Sequence, residues 1–187
     1  MRTLYLRETL TYDGSQLSSL WAFRYLGLQG DSIVAFRGPC RVEREALVDV
    51  ADYLASSVIY SPDMLHFLVE HFEQDLEKGV LRQRLLVVIA KEMLERKGVR
   101  PLERRGDDLF AEDRKLSVSV ATVTPVSVMI HLGLNVRAEG VPVKAVGLLE
   151  LGLREEEIRE LAEAIMEAYA GETKGVFLAR CKVRGVP

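Results

Sequence analysis

The chain has 187 residues and a mass of 21.0 kDa, with 48% hydrophobic and 28% charged residues, enough to bury about 70% of the surface its unfolded form exposes. Its net charge of −3 and pI near 5.7 exclude a globally basic nucleic-acid coat. Cys40 and Cys181 are too few for a secreted disulfide scaffold and too far apart for a zinc pair.

The length fits one domain spanning residues 1–187. The opening MRTLYLRETLTYDG has no apolar run of signal-peptide length. The longest nearly apolar stretch, Leu85 to Ala90, falls far short of the ~20 residues of a membrane span. A cytoplasmic location is therefore expected. Asn135 is the sole Asn while Arg and Glu abound, a balance that points to a thermophilic host.

In chain order, Thr3 to Leu6 reads as an edge strand, and Tyr12, Asp13 and Gly14 as a turn into a helix over Ser15 to Leu26, capped by Ser15 or Asp13. Ser32 to Phe36 is a β-branched run between Gly30 and Gly38–Pro39, the mark of a buried strand. Arg41 to Ala55 fits neither period. Ser61–Pro62–Asp63 reads as a helix start, followed by Leu65, Leu68, Phe72 and Leu76 on one helical face. Gly79 then separates a second helix that runs to about Lys97, with Leu85, Ile89 and Met93 in one stripe, stopped by Gly98 and Pro101.

Between Leu102 and Val136 the apolar period becomes two, which predicts an antiparallel hairpin turning at Thr124–Pro125. Placing both apolar sets on one face pairs Val123 with Ser127, hence Ser119 with His131, Ser117 with Gly133 and Lys115 with Asn135. The opposite face becomes a strip of small polar groups with one Lys and one His. Arg154 to Ala170 is an amphipathic helix carrying Ile158, Leu161, Ala162, Ile165, Met166 and Tyr169. Gly171 ends it, and Gly175 to Val183 reads as a last strand containing Cys181. Helices and antiparallel strands without a βαβ rhythm indicate an α+β fold.

No phosphate-binding loop, dinucleotide fingerprint, H-E-x-x-H or C-x-x-C is present. His66 and Glu70 lie four apart and Asp107 adjoins Asp108, but a capped or paired histidine and a solvated turn account for them better than metal, so no metal is assigned. Arg96, Lys97, Arg100, Arg104 and Arg105 form a basic segment able to meet phosphates. Without interleaved aromatics for base stacking it argues against nucleic acid, although a tRNA-associated factor stays among the alternatives. An exposed strand face usually carries long side chains, whereas Ser117, Ser119, Ala121, Ser127 and Gly133 are small and let another body approach. Beside that floor Lys115 is the best single candidate for stabilising an acyl or phosphoryl oxygen. Cys40 is a candidate nucleophile if a cation lowers its pKa, against the more frequent buried inert thiol.

The segments YDGSQLSSLWAFRYLG, GDSIVAFRGPCRV, SPDMLHFLVEHF, VLRQRLL, GDDLFAEDRKLSVSVAT and IHLGLNV resemble the prokaryotic family catalogued as domain of unknown function three-six-six. Its members are similar in fold to biotin and lipoate protein ligases and to the class II aminoacyl-tRNA synthetase core. The resemblance implies a central, largely antiparallel sheet with helices on one side. It also implies that DRKLSVSVAT matches the ligases' glycine-arginine-lysine motif, with Lys115 meeting the acyl group or its adenylate. FRGPC matches the loop that wraps the ligand, through Arg37 and Gly38. Asp113 stands where the motif has its first glycine, and Ser119 near a later one.

The expected function is therefore a ligase-like pocket with acyl ligase or acyltransferase chemistry. Lys115 would be catalytic, with Ser117, Ser119, His131, Asn135, Arg37, Gly38 and Arg104 at the ligand, which would be ATP, AMP or an acyl compound. The alternative is a non-catalytic module that binds a small molecule or a protein. A homodimer is compatible with either.

Overall fold

A computed structural model describes residues 1–55 and 58–186. Five strands form the main sheet in the order β1-β2-β3-β8-β7. These are β1 (Arg2–Tyr5), β2 (Ser32–Val42), β3 (Ile59–His71), β7 (Ser117–Val123) and β8 (Val128–Arg137). Only β1 runs parallel to its neighbour; β2, β3, β8 and β7 are mutually antiparallel. A small second sheet joins β4 (Glu103–Arg105), β5 (Asp108–Ala111) and β6 (Arg114–Lys115). Helices α1 (Trp21–Leu26) and α2 (Val50–Leu54) are short, whereas α3 (Leu76–Arg96) and α4 (Glu157–Arg180) are long. The mixed class, the antiparallel sheet and the long helices agree with the sequence reading.

Strand alternation divides the sheet between two cores. Ile33, Ala35, Leu65, Phe67, Ile130 and Leu132 face α3 and α4 and join their apolar stripes in one cluster. Val34, Phe36, Met64, Leu68 and Met129 face the other way, where Tyr12, Trp21 and Ala22 of the N-terminal segment cover them. All six residues expected on the stripe of α4 are buried.

The double burial explains where the sequence reading fails. Residues 64–71 are buried on both faces, so the strand loses its period-two contrast, and Leu65, Leu68 and Phe72 fall by chance at helical spacing. That buried stretch belongs to β3, not to a helix. Pro62 and Pro39 cause no lost ladder bond, because both fall in the irregularity between the Gly38–Met64 and Cys40–Ser61 pairs.

The hairpin register also differs by one residue. Val123 pairs with Val128, Ser119 with Leu132, Val120 with His131 and Ser117 with Leu134. Thr124 accepts the backbone N–H groups of Val126 and Ser127 on its Oγ1, and its own N–H donates to Ser127 O at 2.7 Å. This makes the connection four residues long. Because each face of β8 is buried, its two residue sets serve two cores, and the requirement that one set face solvent disappears.

Three further boundaries shift. The helix expected over Ser15 to Leu26 is only α1; before it, Asp13 Oδ1 accepts from Ser15 N–H at 3.0 Å and Ser15 Oγ at 2.6 Å, which holds a turn. Gly79 lies inside α3, where a Cβ would come within 2.6 Å of Val128, so it permits close helix–sheet packing. Gly171 and Gly175 lie inside α4, and Cys181 follows that helix, so the last expected strand does not form. A glycine costs a helix about 1 kcal/mol, too little to end one this long.

Candidate functional site

On the face opposite α3 and α4, a cavity of about 380 Å³ opens between the sheet, the segment after β2 and the loop after β8. Its size is that of a small-ligand site. Its wall is mixed: Val42, Leu47, Ile59, Met64, Val118 and Val120 line it together with Lys115, Asp108, Asp107, Asn135 and His131.

Lys115 ends β6, not the hairpin strand, and pairs across β5 with Phe110 instead of with Asn135. Its main chain is held from two sides. Its N–H donates to Lys144 O at 2.9 Å, and its carbonyl accepts from Val146 N at 3.0 Å and from Asn135 Nδ2 at 3.4 Å. Its Nζ is 2.7 Å from Asp108 Oδ2. Burial raises the Asp108 carboxyl above its ordinary value against the opposing pull of Lys115. The lysine is thus aimed into the cavity with a carboxylate counter-ion.

Ser117 and Ser119 line the cavity, but their hydroxyls are engaged. Ser117 Oγ accepts Leu109 N–H at 2.8 Å, and Ser119 Oγ donates to Asp107 O at 2.9 Å while accepting Gln83 Nε2 at 2.7 Å. They anchor β5, which positions Asp108. Gly133 leaves room for neighbours from within the protein: a Cβ there would lie 2.8 Å from Met64 Cε and 3.3 Å from His131 Cε1.

His131, 3% exposed, donates or accepts at Nε2 against Nδ1 of His66 at 3.0 Å, and His66 Nε2 lies 3.1 Å from Gly38 O. Tyr12 stacks on the His131 ring at a centroid distance of 3.7 Å with an interplanar angle of 9°. Burial pulls His66 down to about 4 and His131 well below its ordinary value, so both are neutral at pH 7. The pairing of β3 with β8 creates this contact. His66 and Glu70 share a strand face but not a ligand; Glu70 Oε1 accepts from Leu20 N–H at 2.9 Å and Ser127 Oγ at 2.7 Å. Among the described residues no group of three or more His, Cys, Asp or Glu is placed to hold a metal ion.

Four expected site residues lie away from the cavity. Arg37 binds Asp63 through Nε to Oδ1 at 2.8 Å and Nη2 to Oδ2 at 2.5 Å, and also pairs with Glu155, so its charge ties β2 and β3 to the segment before α4. Gly38 has Leu10 against it: an added Cβ would lie 2.2 Å from Leu10 O, so this glycine admits backbone rather than ligand. Arg104 is exposed and its guanidinium turns to Gly106 O. Cys40 is fully buried and desolvation pushes its thiol up to about 12, the reverse of an activated nucleophile.

Lys115, Ser117, Ser119, His131 and Asn135 all line this cavity, on a register one residue from the expected one. Tyr12, which reads as a turn residue, forms a β-bridge with Cys40 and joins the site unannounced by any periodicity, and Asp108, which reads as a solvated turn residue, is the partner of Lys115. The segment of 46–49 and the loop of 141–143 that complete the wall carry no sequence signal beyond being loops.

The architecture is that of the biotin and lipoate protein ligases. A variant of the biotin protein ligase from Aquifex aeolicus in complex with biotin superposes with a TM-score of 0.60 at 14% identity, covering 93% of this chain and 70% of that one. A protein from T. acidophilum, provisionally assigned as a lipoate protein ligase and holding lipoic acid, gives 0.64 at 14% identity, covering 91% and 86%. At these identities the likeness is one of fold. Residues 1–184 match the model of the domain of unknown function DUF366, and the chain belongs to that family. A protein of unknown function from Pyrococcus horikoshi shares 41% identity and a TM-score of 0.91 over 100% of both chains. An uncharacterised protein of Methanocaldococcus jannaschii is 43% identical over 178 residues, 92% of this chain and 79% of that protein. No described helix is long and apolar enough to cross a membrane.

Proposed function

We propose that the cavity binds a small molecule with an apolar body and an acyl or phosphoryl head, and that Lys115 stabilises the oxygen of that head in acyl ligase or acyltransferase chemistry. The observation that carries this reading is that Lys115, held at its main chain and at Nζ, lines a cavity whose wall also offers apolar side chains. A lysine held from its main chain is preorganised, and a cation so placed stabilises developing negative charge without reorganising. ATP or AMP together with a fatty, lipoyl or biotinyl acid are the natural ligands to try, by analogy with the ligases that share the fold.

The second reading, a binding module without turnover, draws on two facts. Asp108 already neutralises Lys115, and the one thiol near the sheet is inert. Pyrophosphate release from ATP in the presence of octanoate, lipoate or biotin separates the two. Release that disappears in Lys115→Ala is the result expected of a ligase. Saturable binding with no pyrophosphate and no acyl transfer would establish the binding module instead.

A further inference from the structure

The histidine pair fixes its own protons. Gly38 O is a carbonyl and only accepts, so His66 Nε2 carries the hydrogen of that 3.1 Å bond. In a neutral imidazole Nδ1 is then a bare acceptor, which obliges His131 Nε2 to donate across the 3.0 Å contact. His131 is left with an unprotonated Nδ1. Among the described residues that nitrogen has no hydrogen-bond partner, although the residue is 3% exposed and lines the cavity. Tyr12 covers one face of the ring, and the contact with His66 sets its orientation.

The rest of the lining is rich in acceptors. Asn135 gives its Nδ2 to Lys115 O, which leaves Oδ1 as a second acceptor without a partner among the described residues. Asp49, Asp52, Asp107 and Asp108 stand on the cavity wall against the single cation Lys115, itself paired. The His131 and Asn135 acceptors both open onto the cavity, so a ligand that shuts them off from solvent must supply donors or lose affinity, which selects for groups that satisfy them.

We infer that the ligand presents an N–H or O–H donor to Nδ1 of His131, which makes His131 a specificity-determining acceptor for an amide-, amine- or hydroxyl-bearing compound. This rests on the reading of the cavity as a small-ligand site, but not on the role given to Lys115. The buried, neutral state of both imidazoles supports it.

The three histidines make the test tractable by nitrogen-15 NMR. In the free protein the long-range imidazole correlations should show His131 protonated at Nε2 and bare at Nδ1. Titration with 2-piperidone, which has an N–H, should move the His131 Nδ1 resonance saturably, and N-methyl-2-piperidone should bind about tenfold more weakly and leave that resonance in place. His131→Phe keeps the stacking surface for Tyr12 and should abolish the difference between the two lactams. A proton on Nδ1 in the free protein, an equal response to both lactams, or no response to either would overturn the inference. Lys115→Ala should retain the lactam discrimination, so a failure of the acyl-head reading would be visible separately.

Discussion

Arg37 and Gly38 show how one dipeptide can suit two explanations until its neighbours are known. An arginine and a glycine in a loop-like FRGPC fit a ligand-wrapping segment. In the fold they lie in β2, where the guanidinium makes a bidentate bond to Asp63 and the glycine meets the backbone of Leu10. Gly38→Ala should destabilise the protein by about 3 kcal/mol, since the added methyl meets a carbonyl that cannot rotate away. A urea midpoint unchanged from wild type would contradict that assignment. Arg37→Ala removes one partner of a part-buried, charge-assisted pair, and should cost about 1–3 kcal/mol in the same measurement while leaving ligand affinity at the cavity unaltered. His66 gives a pH signature. Its folded pKa, pulled down to about 4, lies below the ordinary value of 6.5, so the unfolded state takes up the proton first as pH falls. The stability that neutrality confers is complete above about pH 6.5 and lost progressively down to about pH 4, a total near 3 kcal/mol. Urea unfolding across that window should show this loss, with a shallower slope in His66→Gln.

At the scale of elements, the sequence carries a helix or strand most clearly when one side meets water. The stripe of α4, half buried, is legible residue by residue. β3 is not, because a strand covered on both faces loses its period-two contrast and its apolar residues fit a helical spacing as well. The one-residue error in the hairpin has the same origin. Assuming a single buried face forces an even sum of paired residue numbers, but Val123 opposite Val128 gives an odd one, and His131 and Leu132 simply enter different cores. The serines show its consequence: Ser119 stands opposite Leu132 instead of His131, and both serines, while lining the cavity, spend their hydroxyls on holding Leu109 and Asp107. α4 also makes a prediction of its own. Its buried residues end at Tyr169, and those from Gly175 to Arg180 are exposed. Truncation after Lys174 should therefore change the unfolding free energy by less than about 0.5 kcal/mol. A loss of several would show that the exposed end is packed in solution.

For the whole molecule, fold and site differ in how they could be read. Patterning yields the α+β class, the resemblance implies the ligase-like sheet, and the family match and the ligase-like neighbours agree with both. The cavity depends on contacts between segments far apart in sequence: β6 against the loop of 144–146, His66 against His131, and Tyr12 over both rings. Residue types alone brought five of its polar members to notice. They could not show that Asp108 balances Lys115, nor that His131 is left with an empty acceptor.

The central claim is that Lys115 serves a ligand in this cavity, and the most direct test is a thermal-shift comparison of wild type with Lys115→Ala. The panel is ATP, AMP, biotin, lipoate, octanoate and coenzyme A thioesters. A ligand at a hundredfold excess over its Kd stabilises the folded state by about 2.7 kcal/mol, which is readily seen. The account predicts that at least one of these raises the wild-type midpoint and that the rise vanishes in a well-folded Lys115→Ala. A rise of equal size in both proteins, or none with any compound, would contradict it.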